Sequence, residues 1–233
     1  MKVSVIGLGY IGLPTAAIMA DHKISVYGYD TNQEVVDTIN RGEIHIFEPD
    51  LEKIIKRCIS NQSLRVSNKL SKSNVFIIAV PTPIKKNKSP DLSFVKKAAD
   101  KIAPLLEKGN LVILESTSPV GATEKLTSWL KTRRKDLAFP DFKSKTNGDV
   151  KIAHCPERVL PGNVIREIIK NDRIIGGMSL NCSKEASKVY KKFVKGECIE
   201  TDCRTAEMIK LVENSFRDVN IAFANELSLI SEK

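Results

Sequence analysis

The chain has 233 residues, of which 42% are hydrophobic and 28% charged, and a formal net charge of +9. That composition belongs to a globular chain of one or two domains with a full core and excludes a disordered one. Apolar runs such as Val75–Val80 fall far short of the ~18 residues that span a bilayer, and no secretory cleavage site follows Met1-Lys2, so a cytoplasmic chain without a membrane partner is expected.

Lys2–Ile6 reads as a short buried strand. Gly7-Leu8-Gly9-Tyr10-Ile11-Gly12 follows, then a helix over Leu13–Ala20, with Pro14 in its first turn where a missing amide costs little. Ile24–Tyr29 is the next apolar strand and ends at Asp30; Asn32–Asn40 and Pro49–Ile59 read as helices. Leu64–Val66 and Val75–Val80 are strands, the second stopped by Pro81-Thr82-Pro83. A helix over Leu92–Leu106 ends before Gly109, and strand Leu111–Leu114 leads into the loop Glu115–Gly121 and a helix over Ala122–Lys131. The polar stretch 133–149 reads as an insertion or loop. Val150–His154 and Ile174–Ile175 are strands, Ser183–Phe193 a helix and Cys198–Glu200 a last short strand.

This alternation predicts an α/β fold: a Rossmann-like, mostly parallel sheet with helices on both faces. Residues 1–203 form the dinucleotide-binding domain in this reading, and 204–233 a long connecting helix. Over Thr205–Glu232, Met208, Val212, Phe216, Val219, Phe223, Leu227 and Ile230 recur at helical steps and make one apolar stripe. Lys210 and Asn214 share another face, about 160–200° away. The chain stops three residues after Ile230 without a cap, as if cut within or just past a helix.

Parallel sheets bind ligands beyond the carboxyl ends of their strands, and every notable motif here falls at such an end. In the glycine fingerprint, Gly7 permits the tight turn, Gly9 lets a pyrophosphate approach the backbone, and Gly12 allows close packing of helix on strand. The pyrophosphate is expected on the helix N-terminus beginning near Tyr10. Asp30, 23 positions after Gly7, offers a carboxylate to both ribose hydroxyls, and Thr31 and Asn32 provide no basic partner for a 2′-phosphate. NAD is therefore the expected cofactor.

Other signals are weaker alone. Glu115-Ser116-Thr117-Ser118-Pro119-Val120-Gly121 is a hydroxyl-rich turn that suits a capped helix start as well as catalysis. In Cys155-Pro156-Glu157-Arg158-Val159-Leu160-Pro161-Gly162, Glu157 is either a general base or the partner of Arg158. Lys210 and Asn214, one turn apart, read on their own as a solvated surface. The five cysteines are irregularly spaced with no Cys-x-x-Cys, and the three histidines are scattered, so no metal site or disulfide framework is expected. Cys155 reads as a buried thiol rather than a nucleophile. Basic residues thicken at 85–101, 131–145 and 184–195 with acids interspersed; without a recognition motif, this favours phosphorylated ligands over nucleic acid.

Taken together, VSVIGLGYIGLPTAA (3–17), DTINRGEIHIFEPDL (37–51), AVPTP (79–83), LVILESTSPVG (111–121), IAHCPERVLPG (152–162), KNDRIIGGM (170–178) and TAEMIKLVENSFRDVNIAFANELSLI (205–230) closely resemble the UDP-glucose/GDP-mannose dehydrogenase family along the whole chain. The resemblance implies oxidation of a sugar C6 hydroxymethyl to a carboxylate with two NAD+, a cysteine capturing the aldehyde on the way. It implies cofactor contacts from Gly7, Gly9, Tyr10, Ile11, Gly12, Asp30, Pro81, Thr82 and Thr117. Glu157 would be base or activator of water, Lys210 would stabilise an oxyanion, Thr117 would hold the reacting oxygen, and Asn214 would orient substrate. Arg158 joins Glu157, Lys210 and Asn214 as a substrate contact. Pro161, where UDP-glucose enzymes tend to be acidic, favours an N-acetylhexosamine, with UDP-N-acetyl-D-mannosamine expected and UDP-glucose or GDP-mannose as alternatives. A homodimer through the 204–233 helix is also implied. The family's Gly-Gly-His-Cys nucleophile motif and its sugar-binding domain are not found in the 233 residues, so this chain is expected to supply the NAD-binding half and to be inactive alone. A non-catalytic NAD-binding module is the rival expectation.

Overall fold

The computed structural model describes residues 1–160 and 162–232. Eight strands form one sheet in the order β3-β2-β1-β4-β5-β6-β7-β8. The strands are β1 (Lys2–Ile6), β2 (Ser25–Tyr29), β3 (Leu64–Ser67), β4 (Val75–Ile78), β5 (Leu111–Leu114), β6 (Lys151–His154), β7 (Arg173–Gly177) and β8 (Cys198–Asp202). The helices are α1 (Gly12–Asp21), α2 (Gln33–Asn40), α3 (Leu51–Ser60), α4 (Ser93–Ile102), α5 (Ala122–Arg133), α6 (Val164–Lys170), α7 (Leu180–Tyr190) and α8 (Cys203–Ser231).

Most elements fall within a few residues of expectation, and each difference has a local cause. The helix expected through Leu106 ends at Ile102 in a 3₁₀ turn, Ala103–Leu105, because Pro104 cannot continue the α pattern. Asn32 lies outside α2 and caps it, its side chain accepting from the Glu34 amide. No element was expected between His154 and Ile174, yet α6 forms there. Residues 133–149 are largely irregular, but Leu137 and Phe139 turn inward and are buried.

The strands bury both faces by alternation. In β5, Leu111 and Ile113 enter the core under α1, α3, α6 and α7, whereas Val112 and Leu114 enter the core under α4 and α5. Strand pairing is parallel except between β6 and β7, where Ala153 faces Gly177 and His154 faces Gly176. The strand β7 overlaps β6 only through its last two residues, so its first residue, Arg173, lies beyond the carboxyl end of β6. The chain then descends β8 beside β7, and α8 turns back toward that end.

The helix α8 packs on the domain through a face other than its apolar stripe. Its buried residues are Cys203, Ala206 and Glu207, on the face continued by Lys210. The apolar stripe is exposed, from 47% at Leu227 to 72% at Phe216. Among the described residues no helix is long and apolar enough to cross a membrane.

Candidate cofactor and substrate cleft

The sheet changes winding direction between β1 and β4, the place where open α/β sheets bind ligands. A cleft of about 960 Å³ opens there, across the carboxyl ends of β2, β1, β4, β5 and β6. The fingerprint forms one wall. Gly7 has φ +91°, and a Cβ on it would lie 2.6 Å from the Ala79 carbonyl oxygen of the neighbouring strand end. A Cβ on Gly12 would lie 1.8 Å from the Gly7 carbonyl oxygen. These two glycines let the turn and α1 press against the sheet. Gly9 faces open space, so its backbone is accessible from the cleft. Tyr10 and Ile11 complete this wall.

Asp30 closes the cleft on the β2 side. Its Oδ2 accepts from the Leu8 amide and its Oδ1 from the Asn32 amide, each at 2.9 Å. The carboxylate is thus held against the fingerprint with lone pairs left for hydroxyl donors. In the middle, the loops after β4 and β5 are tied together. The Thr82 hydroxyl donates to the Thr117 carbonyl at 2.6 Å, and the Ser116 hydroxyl donates to the Val80 carbonyl at 2.7 Å. Pro81, Thr82 and Thr117 line this section, and Glu157 and Lys210 line the β6 end.

Ten residues singled out from sequence therefore converge on one cleft: Gly7, Gly9, Tyr10, Ile11, Asp30, Pro81, Thr82, Thr117, Glu157 and Lys210. Three do not line it. Gly12 is buried as a packing contact beneath the fingerprint. Arg158 forks onto the Glu213 carboxylate of α8, its Nε donating at 2.8 Å. Asn214 is exposed on α8, one turn beyond Lys210. Pro161, which bore on substrate preference, lies outside the described residues, as does Lys233.

Glu157 pairs with a partner the sequence did not point to, and not with the Arg158 side chain. Its carboxylate accepts from Arg173 at 2.5 Å, with both side chains nearly fully buried, and also from the Arg158 amide at 2.8 Å. Arg158's guanidinium goes to Glu213 instead. Arg173 keeps Nε and Nη2 without an acceptor among the described residues. Burial works against the guanidinium's charge, but Glu157, Cys155 and Glu115 outweigh it and hold the proton more firmly than usual. Lys210 is half-buried rather than solvated. Burial pushes its ammonium pKa down, and Glu157 partly restores it. Cys155 is buried and its thiol is pushed up to about 12 by burial, with Arg173 opposing, as suits an inert thiol.

Three further carboxylates organise the cleft. Glu48 accepts from the amides of Gly162 at 3.0 Å and Val164 at 2.7 Å and from the Tyr10 hydroxyl at 3.2 Å, joining the fingerprint to the Glu157 loop. Glu207 accepts from the Gly121 and Thr123 amides and the Thr123 hydroxyl, docking α8 on the loop that carries Thr117. Glu115 accepts from the Tyr190 hydroxyl at 2.6 Å and from the Thr15 hydroxyl at 3.4 Å. Burial, with Glu157 adding to it and Arg173 opposing, raises the Glu115 pKa to about 7. The signal in sequence was an acid or base set in an apolar run, as Arg173 precedes Ile174-Ile175, because such a group needs a buried partner. Among the described residues no cluster of His, Cys, Asp or Glu could hold a metal ion.

Comparison with known proteins accords with this geometry. Residues 1–194 match the UDP-glucose/GDP-mannose dehydrogenase family, NAD binding domain, and residues 204–233 match the central domain of the same family. The chain is 60% identical over 228 residues to UDP-N-acetyl-D-mannosamine dehydrogenase of Escherichia coli (strain K12), covering 98% of this chain and 54% of the relative. It is 57% identical over 231 residues to NDP-N-acetyl-D-galactosaminuronic acid dehydrogenase of Ralstonia nicotianae, covering 99% and 54%. The structure of UDP-D-ManNAc dehydrogenase from Pyrococcus horikoshii superposes with a TM-score of 0.91 at 44% identity, covering 99% of this chain and 54% of that one. The chain thus spans about half the length of the relatives it matches.

Proposed function

The chain belongs to the UDP-glucose/GDP-mannose dehydrogenase family, and from that premise we propose that it is the NAD-binding half of a cytoplasmic enzyme oxidising UDP-N-acetyl-D-mannosamine at C6 to the uronate, with two NAD+ consumed per sugar. One observation carries the reading. The fingerprint, Asp30, Thr117, Glu157 and Lys210, dispersed from residue 7 to residue 210, meet in a single cleft at the switch point of the sheet. The substrate follows the Escherichia coli relative's name at 60% identity. The Ralstonia relative, at 57%, supports an N-acetylgalactosamine derivative as the second reading.

The residues present fit the cofactor. The backbone at Gly9 is open to the cleft, and the amides of Tyr10 and Ile11 precede α1, where a helix N-terminus favours an anion. Asp30 accepts the adenosine ribose hydroxyls, and Pro81, Thr82 and Thr117 flank the other half. NAD+, when bound, supplies the hydride acceptor. Lys210 stabilises negative charge developing on the sugar C6 oxygen, an effect that grows as the site excludes water. Thr117 donates to that oxygen. Glu157, anchored by Arg173, takes the proton or activates the hydrolytic water. Asn214, one turn further along α8, and Arg158, braced by Glu213, lie outside the cleft lining and meet the part of the nucleotide sugar that extends beyond it. A cysteine supplied by a further segment captures the aldehyde.

The exposed stripe of α8 supports a homodimer made through residues 204–233. The 233-residue chain by itself is expected to bind cofactor but give no net oxidation. Positioning the sugar against the cofactor supplies as much as about 7–11 kcal/mol in favourable cases, and most of that grip comes from elsewhere. The test is NADH absorbance with UDP-N-acetyl-D-mannosamine and NAD+. No signal from the chain alone, and two NADH per sugar when it is joined to a segment carrying the nucleophile and sugar-binding domain, support the reading. Two NADH per sugar from the chain alone overturns the half-enzyme reading and makes Cys155 the first suspect.

A further inference from the structure

We infer that Glu115 makes the cleft discriminate between oxidised and reduced cofactor: its buried carboxylate, lying under the nicotinamide half, when ionised favours the cationic nicotinamide ring of NAD+ over the neutral dihydronicotinamide ring of NADH. The inference rests on the cofactor placement proposed above.

Placement follows from strand order. Asp30 ends β2, the fingerprint ends β1, and β4, β5 and β6 continue across the cleft. With the adenosine ribose on Asp30 and the pyrophosphate on the fingerprint, the nicotinamide reaches the ends of β4–β6. Glu115 directly follows β5 in that stretch, lines the cleft, and is 2% exposed. It continues the inward alternation of Leu111 and Ile113, so its carboxylate enters the face covered by α1 and α7 and meets Thr15 and Tyr190.

The surrounding charges leave Glu115 in control. Facing it are Thr15 from α1, Tyr190 from α7, Arg173 from β7, and Cys155 and Glu157 from the segment after β6; Lys210 from α8 faces the same cleft. Arg173 and Glu157 pair with each other and cancel. Burial keeps the Cys155 thiol and the Tyr190 phenol protonated, and burial pushes the neighbouring His154 down to about 3, leaving it neutral. With the Lys210 ammonium unchanged, a protonated Glu115 adds no charge to the cluster and an ionised Glu115 adds one negative charge. Its carboxyl titrates at about 7, so this change falls near neutral pH. A unit charge pair roughly 8–10 Å apart at an effective dielectric of ~20 changes affinity by about 15- to 30-fold.

The consequence is a linkage. NAD+ affinity rises with pH through about 7 while NADH affinity stays flat, and NAD+ binding near neutral pH drives a proton off Glu115. Calorimetry on the 233-residue chain tests this without turnover. NAD+ and NADH are titrated at about pH 6 and about pH 8, in buffer pairs of different ionisation enthalpy. The expected result is about a five- to eightfold gain for NAD+ alone between those two pH values, with proton release. Glu115→Gln, which mimics the protonated acid, should bind NADH normally and hold NAD+ flat at its low-pH affinity. Tyr190→Phe, which removes a donor to the carboxylate, should move the transition to higher pH, and Lys210→Met should leave it in place. Equal pH dependence for NAD+ and NADH, a slope surviving in Glu115→Gln, or loss of the slope in Lys210→Met overturns the assignment to Glu115 while cofactor binding stands. Failure of both nucleotides to bind overturns the cofactor placement as well.

Discussion

Replacing Glu207 by alanine should unlock α8 from the cleft. Glu207 is fully buried, and its carboxylate accepts from the Gly121 amide at 2.6 Å, the Thr123 amide at 2.7 Å and the Thr123 hydroxyl at 2.6 Å. Two of these donors belong to the start of α5, whose first amides have no partner within the helix. Alanine leaves all three donors in a dry site. Hydrogen bonds to a charged group are worth about 1.5–3 kcal/mol each, but three on one carboxylate overlap, and its removal also relieves a desolvation penalty. The net loss is expected to be about 3–5 kcal/mol, the range found when one partner of a buried charged interaction is deleted. Glu207→Gln keeps one acceptor and turns an NH₂ toward donors, for a loss of about 1–2 kcal/mol. Urea denaturation followed by circular dichroism reads both, and an unchanged m-value shows that the native and unfolded states remain comparable. An alanine variant within about 1 kcal/mol of the parent would refute the reasoning, because those donors would then have found water or another acceptor.

The buried carboxyl of Glu115 binds its proton more tightly in the folded chain, at about 7 against 4.5, so its contribution to stability falls as pH rises through that window. Glu115→Gln removes the dependence, and its stability relative to the parent should improve by about 3 kcal/mol between about pH 4.5 and about pH 7.5; a constant difference in urea titrations would count against the raised pKa. Phe216 and Phe223, at 72% and 63% exposure, are expected to hold two copies together. Phe216→Asp with Phe223→Asp should then give a monomer by sedimentation, and a parent chain that already sediments as a clean monomer would contradict this.

Much of the architecture was legible because period-2 apolar runs and glycine–proline punctuation are local signals. The β5 strand matched its expected limits, and Pro104 was a readable stop that a purely periodic reading of Leu92–Leu106 ran past. The helix α6 was not legible: it is seven residues long, lacks its own side-chain cap, and has its Val164 amide held by Glu48, 116 positions away. The reversal of β7 left no trace in its composition, since a buried strand reads alike in either direction. Periodicity on α8 found the stripe but did not reveal the other face, which docks the helix on the domain. The face that packs on the domain is Cys203, Ala206 and Glu207, small residues around one acid that meets three donors. The cleft residues contributed by glycine turns and strand ends were foreseeable. The partners of Arg173, Glu48 and Glu207 were not, because they lie 16, 114–116 and 84–86 positions away in sequence.

The placement of NAD in the cleft is tested most directly by calorimetric titration of the chain with NAD+ and NADP+, before and after Asp30→Ala. The carboxylate is fixed by the Leu8 and Asn32 amides and has no basic residue beside it in sequence, so NAD+ should bind well in preference to NADP+. Alanine should weaken NAD+ at least about tenfold, from the lost bonds to a charged acceptor, and narrow the gap. NADP+ binding as tightly as NAD+ to the parent chain, or an Asp30→Ala variant with unchanged NAD+ affinity, would contradict it.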